Sequence, residues 1–449
     1  MSESEQLQPL ISCEECGLVV ELPPLEDGEK ASCPRCQHTL AKRVAQPFQR
    51  PLSYGIASLA MLVASISFPF MSFSVQGISQ EITLMHSAKM LSEFENSLLA
   101  LLLLATVVVL PALYLSVLLY LYVRAGRLTN SIHKNASHKP ISHFEKQLCR
   151  VMIRIEPWLM VDVFLIGVLV SLIKIASLAD IGLGLSFWAF CIYTILVVKC
   201  VSMVDRTWLW MQFIPITPLQ GVSAGDSHQS KNHISCHICA QMNPMASEDS
   251  HERCHRCHGA LHPYSPKQML QRSWALLIAA AVFFIPANLY PMMYTVSLGN
   301  SEGSTIMGGV ILLWQLKSYP IAAVIFLASV VIPLAKIFAL TWLYFHAHKS
   351  AASDEHQAIQ KLRLYRITEL IGRWSMIDIF VVAILVALVQ LQNLMAIFPG
   401  PAALSFACVV LLTMLSAMTF DPRVFWVDQV QEKEIDENLN NTNESSGYE

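Results

Sequence analysis

Charged side chains are scarce in this chain of 449 residues. Only 14% of the residues are charged, 54% are hydrophobic, and the mean hydropathy is +0.47. A soluble globular domain carries about 25% charged residues, so the composition excludes an ordinary soluble protein. The first fifty residues are polar and the first apolar run begins near Leu52, so we expect no cleavable signal peptide. We predict an all-α polytopic membrane protein that inserts through its internal spans.

The sequence also lacks a recognisable catalytic motif. It contains no phosphate-binding loop of the G-x-x-x-x-G-K-[ST] type, and it offers no convincing nucleophile–base arrangement. We therefore predict that the protein is not an enzyme, neither an ATPase nor a hydrolase. We expect no nucleic-acid partner.

Eight of the twelve cysteines form four C-x-x-C motifs, arranged as two similar sets. The two motifs of a set are separated by 16 residues in the first set and 14 in the second. Two such motifs let four thiolates surround one ion with no position left open, which is typical of a structural zinc site. We predict two small β zinc ribbons, at 11–45 and 233–264, with zinc as cofactor. The predicted ligands are Cys13, Cys16, Cys33 and Cys36 in the first ribbon and Cys236, Cys239, Cys254 and Cys257 in the second.

Two other interpretations of the cysteines stay open. Two disulfides per set would need an oxidising compartment, and a thioredoxin-like motif typically has one C-x-x-C beside a βαβ unit. Several histidines crowd the second set, but four thiolates already fill a closed site, so we do not expect these histidines to bind metal. They are His237, His251, His255 and His258.

Four apolar runs follow each predicted ribbon, and each is long enough for a bilayer-spanning helix. Landmarks of the two halves match at offsets of 216 to 222, such as Pro111 with Pro333 and Asp162 with Asp378. This agreement indicates an internal duplication, so we predict eight transmembrane helices in two tandem four-helix repeats. The predicted spans lie near 52–72, 97–123, 158–178, 185–204, 274–295, 319–345, 375–397 and 402–420. The predicted domains are a disordered start at 1–10, a ribbon at 11–45, a four-helix unit at 50–212, a linker at 213–232, a ribbon at 233–264, a four-helix unit at 270–428 and a disordered acidic tail at 429–449.

Lysine and arginine are unevenly distributed between the loops. Residues 124–156 carry seven and residues 346–374 carry five, whereas 73–96 and 297–318 carry one each. By the positive-inside rule, both ribbons and both termini lie in the cytoplasm. The segments that begin at Met71 and Met293 alternate apolar with polar residues and reach a glycine, so we expect small periplasmic β-hairpins there.

Two charges stand in otherwise apolar spans of the second half, Lys336 and Asp378. A lysine inside a span costs about 2.5–3.5 kcal/mol on insertion scales, so we expect an acidic partner and predict a buried Lys336–Asp378 pair. In one interpretation the pair exchanges a proton, or changes its pairing, during transport. In the other, Lys336 snorkels to a headgroup and Asp378 lies at a helix N-terminus near the interface.

Two hydroxyl groups complete the candidate cluster. Ser329 precedes Lys336 by seven residues, or two helical turns, so both are expected on one helix face. Thr413 lies eleven residues into the last predicted span. In the first half, the position that matches Lys336 is Tyr114, so the charge is not required by the repeated plan. We infer that the second half is the active copy.

Two four-cysteine ribbons that each lead into four spans, together with the motifs W-S-M-I-D-I-F and A-L-S-F…L-L-T-M-L-S-A…F-D-P-R, resemble the paraquat-inducible protein A family. The resemblance covers about residues 10–428. Within the family, the chain looks most similar to the LetA-like branch. The resemblance implies a multi-pass bacterial inner-membrane protein that works with a periplasm-spanning MCE-domain partner in lipid traffic between the inner and outer membranes. It also implies membrane phospholipids as partners. The residues expected to serve transport, with proton coupling as one expectation, are Ser329, Lys336, Asp378 and Thr413.

Two rival functions remain open. The protein could be a non-transporting anchor that docks the MCE partner through its ribbons, in which case the Lys336–Asp378 pair is dispensable. Alternatively, the C-x-x-C motifs could shuttle disulfides across the membrane. About two zinc ions per chain would exclude this redox role, because closed thiolate sites have no free thiol to exchange.

Overall fold

The structure is a computed structural model that describes residues 9–75, 78–83, 101, 103–132, 141–175, 180–230, 232–245, 253–297, 300–315, 317, 319–348, 355–388, 390–391 and 395–426. It is mostly helical, with small antiparallel sheets in the ribbons and between the helices. Apart from residues 9 and 10, the ends predicted to be disordered lie outside the described residues.

The helices that precede the linker form the first helical unit. Its third helix begins with a capping box, in which the hydroxyl of Ser142 accepts from the Glu145 N–H and the Glu145 carboxylate accepts from the Ser142 N–H. This box fixes where that helix starts. The described helices are α1 (Gln49–Ser67), α2 (Leu110–Ile132), α3 (His143–Ile155), α4 (Val161–Ile175), α5 (Leu185–Met203) and α6 (Arg206–Phe213).

The second helical unit follows the second ribbon. Its described helices are α7 (Pro266–Leu289), α8 (Ile306–Gln315), α9 (Tyr319–Phe326), α10 (Ile332–His348), α11 (Glu355–Trp374), α12 (Ile377–Leu388) and α13 (Pro401–Thr419). A 3₁₀ turn, Pro422–Phe425, ends the unit.

Six helical stretches among the described residues are long and apolar enough to cross a membrane, which supports a membrane protein. The other two predicted spans, near 52–72 and 375–397, coincide with α1 and α12, whose described helices have 19 and 12 residues. The count of eight spans therefore stays a prediction. The six stretches are Ala105–Leu128, His143–Ile173, Leu185–Met203, Pro266–Leu289, Ala322–Ala347 and Pro401–Thr419.

Each ribbon contains short antiparallel strands, and each helical unit carries a further sheet. The protein is therefore mostly helical, and most of its strands lie in the ribbons and hairpins that were predicted beside the helices. The described strands are β1 (Leu10–Ser12), β2 (Val19–Glu21), β3 (Lys30–Ser32), β4 (Thr39–Lys42), β5 (Met71–Val75), β6 (Ile78–Ile82), β7 (Asp180–Leu183), β8 (His233–Ser235), β9 (Met242–Pro244), β10 (Met293–Ser297), β11 (Asn300–Ser304), β12 (Gln390–Leu391) and β13 (Met395–Pro399).

The predicted hairpins after α1 and α7 are confirmed as structure: β5 pairs with β6 and β10 pairs with β11. Each hairpin gains a third strand that the sequence did not reveal, β7 in the first unit and β13 in the second. The partners of Met71 and Met293 are Leu183 and Pro399. Because α1 spans about 28 Å at 1.5 Å per residue, the first ribbon and the β5–β7 sheet lie at opposite ends of this helix.

The helices pack in the same way in both units. In the first, α1 packs along α5, and the Ser186 hydroxyl donates to the Phe68 carbonyl over 2.8 Å. In the second, α7 packs along α13, and the hydroxyls of Ser273 and Thr419 are 3.2 Å apart. The two units then join where α4 meets α12, an arrangement that periodicity along the sequence does not indicate.

A π-helical turn precedes the same proline in each unit. These turns, Ala105–Val109 and Leu327–Val331, come directly before α2 and α10. Proline lacks an N–H and its ring clashes with the carbonyl four residues earlier. For Pro333 that residue is Ser329, so the wider turn at Ser329 follows from the sequence.

Candidate functional site

The four C-x-x-C motifs fold into four similar knuckles. In each, the N–H of the residue after the second cysteine donates to the carbonyl of the first cysteine, as from Gly17 to Cys13 over 2.9 Å. That residue has a positive φ, which non-glycine residues rarely adopt. The φ values are 73° at Gly17, 60° at Gln37, 56° at Ala240 and 54° at His258.

The knuckles bring eight buried thiols together as two groups of four, as the sequence predicts. Within each group the sulfur atoms all lie within 4.8 Å of one another. The closest pairs are 3.5 Å apart in the first ribbon and 3.5 and 3.6 Å apart in the second. A tetrahedral ion with bonds of about 2.3 Å places its sulfur ligands about 3.8 Å apart, so both groups fit zinc.

The second ribbon also supplies donors to its sulfur atoms. The Gly259 N–H donates to the Cys257 Sγ over 3.3 Å, and the Asn243 side chain lies 3.7 Å from the Cys254 Sγ. Such bonds favour thiolates, the form that binds metal. Among the described residues no histidine joins either group, and His251 lies outside them.

Glu15 lies between two cysteines of the first ribbon and joins this ribbon to a distant helix. Its carboxylate accepts bonds from the guanidinium of Arg366 on α11 and lies 3.2 Å from the His38 ring. Burial opposes the charge of Glu15, but the bonds from His38 and Arg366 outweigh it and lower the pKa of this carboxyl. The ribbon is thus tied to a helix of the second unit.

Two members of the predicted polar cluster, Ser329 and Lys336, lie buried about two helical turns apart. Ser329 is 5% exposed in the π-helical turn, and Lys336 is 3% exposed on α10. Among the described residues the Lys336 ammonium has no hydrogen-bond partner. Its side chain is enclosed by the protein.

The structure brings the other two members to the same unit without joining them to Lys336. Asp378 lies in the first turn of α12 and is half-buried, and no hydrogen bond joins it to the Lys336 ammonium. Thr413, 2% exposed, donates to the carbonyl of Val410 on its own helix over 3.0 Å. The α12 helix does pack against the π-helical turn that holds Ser329.

Gly372 is a site residue that sequence reasoning missed. A Cβ atom at this position on α11 would lie 3.1 Å from the Lys336 Nζ and 3.4 Å from its Cε. The absence of a side chain therefore makes room for the lysine head. The offset of 216 between the halves aligns Gly372 with Glu156. This difference between the two halves is the sequence feature that could have pointed to Gly372.

A hydrogen-bond network near the cluster was also not foreseen. The hydroxyl of Tyr344 on α10 lies 2.8 Å from the Ser416 hydroxyl on α13. Ser416 in turn donates to the carbonyl of Ser273 on α7 over 2.8 Å. The network joins three helices of the second unit near its ribbon end.

A comparison with known families decides the assignment. The family model described as paraquat-inducible protein A matches residues 48–214 and 270–429, more than half of the chain. The chain belongs to the paraquat-inducible protein A family. The match falls on the two helical units and confirms the resemblance seen in the sequence.

Curated relatives extend this result across the whole chain. The intermembrane transport protein PqiA of Escherichia coli (strain K12) is 39% identical over 439 residues, covering 97% of this chain and 100% of that protein. A probable intermembrane transport protein of Haemophilus influenzae is 26% identical, covering 94% and 97%. The lipophilic envelope-spanning tunnel protein A of Escherichia coli is 25% identical, covering 92% and 90%.

These identities correct one detail of the resemblance. The sequence motifs favoured the LetA-like branch, but the identity to PqiA exceeds the identity to the lipophilic envelope-spanning tunnel protein A. The motifs are shared across the family, so they do not separate its branches. No solved structure matches the chain.

Proposed function

We propose that this protein is the inner-membrane subunit of an MCE-type intermembrane lipid transport system. It moves phospholipids between the inner membrane and a periplasm-spanning MCE tunnel and thereby supports outer-membrane integrity. Support comes from relatives named as intermembrane transport proteins and from the membrane-capable helices. The observation that carries the proposal is the Lys336 ammonium, buried in a membrane-capable helix without a hydrogen-bond partner among the described residues.

Lys336, Ser329, Asp378 and Thr413 form the transport cluster of this proposal. A buried ammonium is costly in a membrane, so it is retained where it acts on a substrate or a proton. In the proposed cycle, Lys336 pairs with Asp378 in one step and is separated from it in another, with proton transfer between them.

The proposed topology places both termini and both ribbons in the cytoplasm and the β5–β7 and β10–β13 sheets in the periplasm. This topology is supported by the concentration of lysine and arginine in residues 124–156 and 346–374, because basic segments stay on the cytoplasmic side. Eight spans in two tandem repeats complete the topology, in line with the matching helix packing and strand pairing of the two units. Each ribbon holds one zinc ion through its four cysteines, and zinc, when bound, cross-links the two knuckles of a ribbon.

The test replaces Lys336 by alanine in a strain that needs this protein for its outer membrane. We expect loss of complementation at an unchanged protein level, because the charge acts in transport and not in folding. Lys199→Ala is the matched control, because Lys199 also lies in a membrane-capable helix but is exposed. Full activity of Lys336→Ala and Asp378→Ala would instead favour the anchor function, in which only co-purification with the MCE partner matters.

A further inference from the structure

The first ribbon precedes the first helical unit in the chain but docks on the second. Its Arg35 guanidinium lies over the ring of Trp426, 4.6 Å from the centroid, just beyond the 3₁₀ turn that ends the second unit. Arg366 of α11 binds the Glu15 carboxylate and also donates to the carbonyl of Cys36 over 3.0 Å. The four cysteines of this ribbon share a buried cluster with α10, α11 and α13.

The second ribbon precedes the second unit but docks on the first. Its Arg256 lies over the ring of Trp210 on α6, 5.9 Å from the centroid, and donates to the carbonyl of Ile214 over 2.9 Å. Arg150 of α3 donates to the carbonyl of His258 over 3.1 Å. The four cysteines of this ribbon belong to a buried cluster that runs through the first unit and continues into the second.

The two contacts are copies of each other with the ribbons exchanged. Arg35 and Arg256 hold the same place in the second C-x-x-C motif of their ribbons. Trp210 and Trp426 are 216 residues apart, as are Arg150 and Arg366. Each ribbon is therefore covalently continuous with one unit and bound at its cysteine knuckles to the other. Each ribbon also has one side-chain contact with the unit that follows it: the Lys42 ammonium donates to the Ser202 carbonyl over 3.1 Å, and Arg423 lies over the Tyr264 ring, 5.2 Å from the centroid.

The helix that the first ribbon holds also encloses Lys336. From Arg366 to Gly372 is six residues, or about 9 Å along a helix, and Gly372 lies directly against the lysine head. At the neighbouring position of α11, the Tyr365 hydroxyl donates to the carbonyl of Ala417 on α13 over 3.1 Å. α11 is thus held between the first ribbon and α13, with Lys336 beside its last turn.

We propose that the exchanged ribbons couple the two helical units, and that Glu15 and Arg366 are positioning residues that hold α11 against Lys336. A contact that only one arrangement of the units satisfies makes each unit sensitive to the state of the other. The effect on Lys336 rests on the transport role proposed above, whereas the exchanged docking does not.

The decisive experiment measures amide hydrogen exchange by mass spectrometry on the purified full-length protein. Arg366→Ala and Arg150→Ala form the matched pair, because each removes one docking side chain and leaves all eight cysteines in place. We expect exchange about tenfold faster in α11 for Arg366→Ala, with faster exchange also in the first ribbon, because a helix without its docking partner opens locally more often. For Arg150→Ala the faster exchange should fall in α3 and the second ribbon.

A second pair of variants removes one predicted metal ligand from each ribbon, and amide hydrogen exchange is again the measurement. Cys13→Ser should speed exchange in α11 but not in α3, and Cys236→Ser should speed exchange in α3 but not in α11. If loss of a ribbon loosens the unit that follows it in the chain, or both units equally, the exchanged docking is wrong. This result is independent of transport, so it separates the docking from the proposed function.

The positioning role is tested by exchanging the charges. Glu15→Arg should lower complementation of the outer-membrane defect, and the double variant Glu15→Arg with Arg366→Glu should restore at least part of it. A merely structural contribution of either side chain would not be rescued by the exchange. Equal defects in the single and double variants would overturn the positioning role, even if Lys336→Ala confirms the transport cluster.

Discussion

Lys336 is a charged residue buried inside a membrane-capable helix, a combination that is energetically unfavourable. Its cost at the centre of a helix is about 2.5–3.5 kcal/mol on insertion scales. Its counterpart in the first unit, Tyr114, is fully buried and carries no charge at neutral pH. Since the same fold tolerates a tyrosine at this place, packing alone does not demand a lysine there.

Substitution of Gly372 tests whether the position of the Lys336 ammonium matters for transport. Gly372→Leu should strongly reduce complementation, because even a Cβ would lie 3.1 Å from the Lys336 Nζ and a larger side chain must displace it. Gly372→Ala should have a smaller effect, since the flexible end of a lysine can shift by a few tenths of an ångström and alanine favours a helix by up to about 1 kcal/mol.

The control for Gly372 is Gly309→Leu on α8, where a Cβ would meet nothing within 4 Å. That variant should complement normally. Normal complementation by Gly372→Leu would show that the place of the Lys336 head does not matter for transport.

The ribbons and the π-helical turns show how local sequence determines single elements. Each knuckle needs two cysteines at close spacing and one residue with positive φ, and only one of the four such residues is glycine. Each π-helical turn ends just before a proline, as expected where a missing N–H interrupts the helix. These elements follow from a few neighbouring residues and need no distant partner.

Metal content is the prediction that belongs to the ribbons. We expect the purified full-length protein to hold about two zinc ions, one for each closed four-thiolate site, as measured by inductively coupled plasma mass spectrometry. Cys33→Ser should lower the content to about one ion, because three thiolates hold zinc less tightly than four.

Cys408→Ser is the control for metal content, because this half-buried cysteine lies on α13 outside both thiol groups. It should leave the zinc content unchanged. Protein without metal and with eight titratable thiols would contradict the zinc sites and revive the thiol-redox function.

At the scale of the whole molecule, the two units meet along α4 and α12. The Phe164 and Phe380 rings touch edge to face, with centroids 5.4 Å apart. The Ser171 hydroxyl lies 3.5 Å from the Val381 carbonyl. Gly167 and Ser171 are small residues four positions apart, a spacing that lets helices in membranes approach closely.

Gly167→Leu should therefore weaken the junction between the units. A Cβ at Gly167 would lie 3.0 Å from the Phe380 Cβ and 3.5 Å from the Ile377 carbonyl, so the two helices must separate. Overpacking of this kind costs about 1–3 kcal/mol, which should appear as a lower thermal unfolding midpoint of the protein in detergent. Leu169→Ala, on the exposed side of the same helix, should change the midpoint little, and an unchanged midpoint for Gly167→Leu would contradict the close junction.

The sequence by itself determined the features that depend on neighbouring residues. Apolar runs predicted the helices, because a span must be continuous to bury its backbone. Cysteine spacing predicted the thiol groups, and alternation after Met71 and Met293 predicted the hairpins. Membership of the paraquat-inducible protein A family was also readable from motifs, whereas its branch was not.

The tertiary structure alone decided which distant elements touch. It placed Gly372 against the Lys336 ammonium, joined α4 to α12 and docked the cysteine knuckles of each ribbon on the other unit. Both ribbons have nearly the same plan, so either unit could have received either ribbon as far as local pattern is concerned. The choice depends on linker paths and on side chains hundreds of residues apart, such as Glu15 with Arg366, and such contacts leave no periodicity in a single sequence.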